Sequence, residues 1–218
     1  MLSKNKLAWC LIFAGALLLA YPKASEKHES IMQEKLLYEW QEAVITQTTK
    51  QSTKNEEEDS KSHLLPPQLP KDDAQKQEKA EPDKVFEGVE GILAIEKISL
   101  KVPILTNATS QNLKVSVASI ENTGSAGKPG NYAIAGHRSK AWGKNFNRLD
   151  ELEAGDTVEV VTTQAAFKYT VEQKLFVRPD EVWVLNGNGK DCEITLVTCH
   201  PVIDPTCRLV IKGRIKKE

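Results

Sequence analysis

The chain has no excess of charge of either sign: 29 Lys and Arg against 30 Asp and Glu leave a net charge of −1 over 218 residues. A global basic field of the kind that holds nucleic-acid phosphates is therefore excluded, and no nucleic-acid partner is expected. Cysteine is scarce as well. Of the four, Cys10 lies inside an apolar N-terminal run and cannot staple an extracytoplasmic domain. Cys192, Cys199 and Cys207 remain, an odd number, which excludes a fully paired disulfide framework. At least one thiol is free or paired between chains. The grouping of Cys199, His200 and Cys207 lacks the paired-cysteine spacing of a zinc site, so no metal and no cofactor is assigned. Long apolar runs are missing too. Residues 7–21 are free of charge but number 15, short of the roughly 20 that span a bilayer core.

What is present at the N-terminus still points to a membrane. Lys4 and Lys6 precede the apolar run, and Pro22 and Lys23 follow it. A signal peptide would need small residues at fixed offsets, and Ala20, Pro22 and Ala24 supply a poor version of that site. Residues 1–25 are read as a cytoplasmic tip and an uncleaved single-pass membrane helix. The two lysines keep the tip inside, so the rest of the chain faces out.

Composition divides the remainder. Over residues 26–45, Ile31, Leu36, Leu37, Trp40 and Val44 recur at helical spacing among charged neighbours. A juxtamembrane helix, a docking element and a solvated helix all fit. Residues 46–84 are rich in Gln, Thr, Lys, Glu and Pro and poor in large apolar residues. Such a segment cannot bury enough surface to offset its ordering entropy, so it reads as a disordered linker. The acidic run 56–59 within it is solvated charge rather than a calcium site.

From residue 85 to 218 the pattern becomes short apolar segments split by turns. Residues 91–95, 98–105, 115–120 and 132–135 are followed by an irregular loop over 139–149. Residues 156–162 and 166–177 alternate as a hairpin would. Residues 182–185, 193–199 and 208–215 complete the set. Short strands with little helix predict an all-β barrel or sandwich with one core.

Three residues in this region carry chemistry. Cys199 ends the apolar run Thr195-Leu-Val-Thr-Cys199, and Arg208 follows nine residues later. An ordinary thiol, with a pKa of about 8.5, needs a base or a positive neighbour to become a useful nucleophile at neutral pH. If residues 200–206 join two antiparallel strands, Cys199 lies opposite residue 207 or 208. Should Arg208 share its face, parity turns Cys207 and Cys192 away. His137 ends a second apolar run, Ala133-Ile-Ala-Gly-His137, where strand gives way to loop. His200 is a rival partner for the thiol, weakened because neighbours in an extended chain point in opposite directions. Taken one at a time, each is also explained blandly: a buried structural thiol, a solvated loop histidine.

Together these residues resemble the sortase family. The resemblance rests on the Thr-Leu-x-Thr-Cys box at 195–199, Gly-His137 after an apolar strand, and Arg208 on the next strand. The loop 122–131 leading to the histidine and the segment 91–104 at the start of the domain are also similar to the family, so it covers all of 85–218. It implies a closed barrel of about eight strands with short helices, preceded by the membrane helix. It further implies a cysteine transpeptidase that cleaves an LPxTG-like sorting signal at the C-terminus of secreted proteins. Cys199 would be the nucleophile, His137 the general acid and base, and Arg208 the group that holds the substrate backbone and its oxyanion. Thr198 would help position the substrate. The acyl acceptor would be an amine on a peptidoglycan precursor or on another protein, at the outer face of the cell membrane.

Within the family the closest resemblance is to class D. No Asp-Pro-aromatic lid motif precedes the barrel, since the one Asp-Pro pair is Asp204-Pro205, and the Cys-to-Arg spacing is compact. Glu151, Glu153 and Asp156 are the acids that a calcium-dependent member would use, and ordinary surface charge explains them equally. A hydrolytic cysteine peptidase and a non-enzymatic extracytoplasmic binding domain are the competing readings.

Overall fold

The structure, a computed structural model, describes residues 13, 15, 27–44, 88–141 and 143–216. The expected membrane helix, apart from Phe13 and Gly15, and the expected linker over 46–84 lie outside these residues. Among the described residues no helix is long and apolar enough to cross a membrane.

Eight strands form a closed barrel. They are β1 (Val89–Ile95), β2 (Leu100–Leu105), β3 (Val117–Ser119), β4 (Gly130–Ala135), β5 (Thr157–Val161), β6 (Ala166–Val177), β7 (Cys192–His200) and β8 (Cys207–Arg214). Around the barrel the order is β1-β2-β3-β4-β7-β8-β6-β5, and β5 pairs back onto β1. Full closure leaves no open sheet edge. The all-β barrel predicted from short alternating segments is thus present, and the sandwich alternative is excluded. The 156–162 and 166–177 segments form the expected antiparallel hairpin, β5 on β6. Residues 115–120 prove to be a junction: α2 (Ser110–Val115) ends there and β3 begins. The side chain of Thr109 starts α2 by accepting the Asn112 amide at 3.1 Å. The apolar segment Val182–Leu185 is a 3-10 turn rather than a strand.

The pairing of β4 with β7 matters most for function. It is parallel, so the C-terminal ends of both strands emerge at the same end of the barrel. Parallel neighbours cannot be joined by a tight turn. The chain therefore leaves β4, builds β5 and β6, and returns through β7.

Alternation along each strand divides its residues between two faces. Leu93, Ile104, Ile134, Leu196, Leu209 and Ile211 all point into the barrel and are fully buried. Phe146, Leu149 and Leu152, from the loop after β4, belong to the same core. On the outside, Val177, Val184 and Val210 form a small cluster under the 182–185 turn, with Val197 against it.

A second outer cluster explains the helical segment near the N-terminus. Residues 27–44 form a helix, α1, and Trp40 on it is 5 % exposed. Trp40 packs with Val89, Ile92, Leu105 and Ala118, and Leu36, Leu37 and Val44 lie against the same cluster. The apolar stripe from Leu36 to Val44 is therefore covered by the outside of β1, β2 and β3, while Ile31 stays exposed. The polar side of α1 reaches the loop after β4. Glu29 pairs with Lys144 at 3.1 Å, and Gln33 donates to Asn145 at 3.0 Å and to Ser116 at 3.2 Å.

Candidate active site

Cys199 and Arg208 are directly opposite each other on β7 and β8. Opposed residues share a face, and this one is set by Val197 and Val210, two residues back on each strand, which lie outside the barrel core. The parity expectation therefore holds. Cys207 is opposed to His200 and turns to the other face, where its thiol donates to the His200 carbonyl at 3.4 Å. Cys192 shares the face of Ile194, and its thiol donates to the Gly127 carbonyl at 3.4 Å. All three thiols are free.

His137 lies two residues beyond the end of β4. Its position follows from contacts that continue the strand register. Ala133 is opposed to Thr195 and Ala135 to Val197, a constant offset of 62. Gly136 donates its amide to the Val197 carbonyl at 3.1 Å. The Thr198 hydroxyl donates to the Gly136 carbonyl at 2.8 Å. One residue further, the Arg138 guanidinium meets His200 Nδ1. Gly136 with Thr198 and Arg138 with His200 keep the same offset on one face. The same offset puts His137 level with Cys199 on the other face. Arg208 lies across from the thiol. The three residues chosen from sequence thus lie at one end of the barrel, Cys199 on β7, Arg208 on β8 and His137 just past β4. His137 is exposed, and Cys199 and Arg208 are half-buried. Among the described residues their functional groups make no hydrogen bond to one another. Arg208 donates at 3.4 Å to the carbonyl of Cys207.

Gly136 has a steric reason. A Cβ there would sit 2.6 Å from the Phe146 ring and 2.9 Å from a Val117 methyl. Gly136 therefore packs its backbone directly against core side chains. Thr198 is engaged within the fold. It is 3 % exposed, lies on the face away from Cys199, and spends its hydroxyl on Gly136. Its hydroxyl ties β7 to the backbone just before His137.

The acids considered for calcium are each engaged with a cation. Arg148 makes two 2.7 Å hydrogen bonds to Glu151. Lys97 lies 2.8 Å from Asp156 and 3.7 Å from Glu153. The Arg148 hydrogen bond holds the Glu151 carboxyl below its ordinary value. Burial pushes Asp156 up, but hydrogen bonds from Lys97 and the Glu153 amide outweigh it and hold the group low.

Residues 93–216 match the sortase domain family. The chain belongs to the sortase family. Sortase A of Bacillus anthracis is 36 % identical over 123 residues, covering 56 % of this chain and 58 % of that protein. Sortase A of Listeria monocytogenes is 27 % identical over 164 residues, 75 % of this chain and 72 % of that one. The chain thus spans little more than half of the first of these relatives. The solved structure of the Clostridium perfringens Sortase D5 transpeptidase superposes with a TM-score of 0.55 at 29 % identity, over 60 % of this chain and 79 % of that one.

Sequence reasoning missed the partners of the neighbouring residues. Arg138 and His200 each follow a chemistry-bearing residue, and the same parity that placed Cys199 beside Arg208 would have put them together. The signal was present only once β4 was known to pair with β7.

Proposed function

We propose that this sortase is a membrane-anchored cysteine transpeptidase that cleaves an LPxTG-like sorting signal on secreted proteins and passes the product to a cell-wall amine. The observation that supports the reading is the register of offset 62, which continues past β4 through the Gly136–Thr198 and Arg138–His200 contacts, with Arg208 opposite Cys199 on β8. In this reading the Cys199 thiolate attacks the Thr carbonyl carbon of the signal. Arg208, permanently charged and fork-shaped, steadies the substrate backbone and the oxyanion that develops. The tetrahedral intermediate collapses, the Thr–Gly C–N bond breaks, and His137 gives a proton to the leaving amine. A thioester on Cys199 remains. The incoming amine loses a proton to His137, attacks the thioester carbon, and expels the thiolate. A new amide forms, and no net redox change occurs.

Class D is the subclass we favour, supported by the missing lid motif, the compact Cys-to-Arg spacing and the likeness to the Sortase D5 structure. The basic flanks of residues 7–21 support an N-in, single-pass anchor with the barrel facing the cell wall of a Gram-positive cell.

The test incubates the full chain with LPxTG and LPxTA peptides, with and without an amine acceptor, and follows it by mass spectrometry. The expected result is an acyl adduct on Cys199 that the amine converts to a new amide. Free acid alone, even with amine present, would favour the hydrolytic reading. No adduct with either peptide would favour the binding-domain reading.

A further inference from the structure

We propose that Arg138 and His200 form a clamp that positions His137 against Cys199, so that both are positioning residues of the reaction. The inference rests on the transpeptidase reading above and names two residues that serve its site. Each of the pair directly follows a reacting residue: Arg138 follows His137, and His200 follows Cys199. In extended chain successive side chains point to opposite faces. A link between 138 and 200 on one face therefore fixes the spacing of 137 and 199 on the other.

The link is built from several contacts. The Arg138 guanidinium meets His200 Nδ1. Guanidinium has only donors, so Nδ1 takes the acceptor role in this contact. The ring is held from the side by Phe176, with centroids 4.7 Å apart and planes at 59°. Arg138 is anchored at its other end by Asp150, at 2.7 Å, and its side chain is only 5 % exposed. Its backbone forms a bridge with Asn145, which accepts from Gln33 of α1. Among the described residues the Nε of Arg138 is buried with no hydrogen-bond partner. A charged group held in that state is costly to bury, and a neutral apolar pair would fill the space at less expense. The arrangement is better suited to fixing geometry than to adding stability. A displacement of about 1 Å between reacting groups costs on the order of a hundredfold in rate, so a clamp one residue away from both has a measurable task.

Three variants separate positioning from packing. His200→Phe keeps a ring against Phe176 and removes the acceptor. His200→Gln restores an acceptor without the ring. Arg138→Gln removes the charge from the other side. The full chain and each variant are compared for kcat and KM in peptide transfer, for melting temperature, and for amide hydrogen exchange at residues 136–139. His200→Phe is expected to lose kcat by about 10- to 100-fold with KM within about twofold, with a modestly lower melting temperature because the buried guanidinium loses an acceptor. Its exchange at 136–139 should rise, and His200→Gln should recover most of both. Wild-type kcat in His200→Phe, or equal losses in His200→Phe and His200→Gln, would overturn the clamp. If His200→Phe does not fold, Arg138→Gln against wild type supplies the same comparison. Should the wild type form no adduct at all, the transpeptidase reading fails while the exchange data still decide the clamp: faster exchange restored by His200→Gln supports it, and unchanged exchange overturns it.

Discussion

Gly136 has no room for a methyl group, and the histidine that follows inherits its position from that constraint. Gly136→Ala would push against the Phe146 ring at 2.6 Å and the Val117 side chain at 2.9 Å. Overpacking of this kind costs about 1–3 kcal/mol, so thermal denaturation should show a lower melting temperature and peptide transfer should fall with it. At Cys199, replacement by Ala should abolish the acyl adduct while leaving the fold intact; retained cleavage in that variant would refute the mechanism. His137→Ala and Arg208→Ala should each lose nearly all peptide cleavage in the same mass-spectrometric assay. Arg208→Lys should recover little, because a point charge does not reproduce the guanidinium fork. Selective labelling checks the parity argument independently. At neutral pH, Cys199 should react ahead of Cys192 and Cys207, whose thiols are turned away and spent on the carbonyls of Gly127 and His200. Reaction of all three at one rate would contradict it.

At the scale of elements, α1 is the part whose role depends most on context. Its apolar stripe was evident from spacing, but a stripe alone does not say what covers it. The structure seats Trp40 in a pocket of β1, β2 and β3 and ties the polar side to the loop after β4. Trp40→Ala removes a buried ring, a change that costs about 3–5 kcal/mol in a core. Here the helix can undock while the barrel stays closed, so the loss should appear as faster hydrogen exchange and proteolysis over 27–44, with a small shift in barrel melting. The 3-10 turn Glu96–Ile98 offers a second check, through the pairs that Lys97 makes with Asp156 and Glu153. Asp156 and Glu151 have lower pKa values in the folded chain than the ordinary 3.8 and 4.5. The unfolded state therefore binds more protons as the pH drops through that range, and folding stability falls with it. Their contribution is fully present above the ordinary values and lost as the pH falls through the folded ones. Lys97→Met should lower the melting temperature at pH 7 slightly, because the pair is partly exposed and screened. The gap to wild type should close as the pH falls below about 4; a gap that persists would show that the lysine acts through packing instead.

For the whole molecule, closure of the barrel is what turns scattered residues into a site. The sequence by itself determined a great deal. Alternation fixed which residues of each strand face inward, and the turn signals between 85 and 218 limited the domain to short strands. Cys199 and Arg208 could be matched because they flank a short loop, and local chain geometry decides such pairs. The Thr-Leu-x-Thr-Cys box and Gly-His137 then pointed to the family. Other decisions involve segments far apart in the chain, whose side chains carry no mutual signal until the backbone has brought them together. Tertiary structure alone set β4 parallel to β7, and so put the ends of the two strands that lead to His137 and Cys199 at the same end of the barrel. It joined the Thr198 hydroxyl to the Gly136 carbonyl and Arg138 to His200. It also decided that α1 lies on the barrel. The physical reason is common to all of these: a parallel pairing and a docked helix are stabilised by long-range burial, and periodicity within one segment specifies which face is apolar but not which partner covers it.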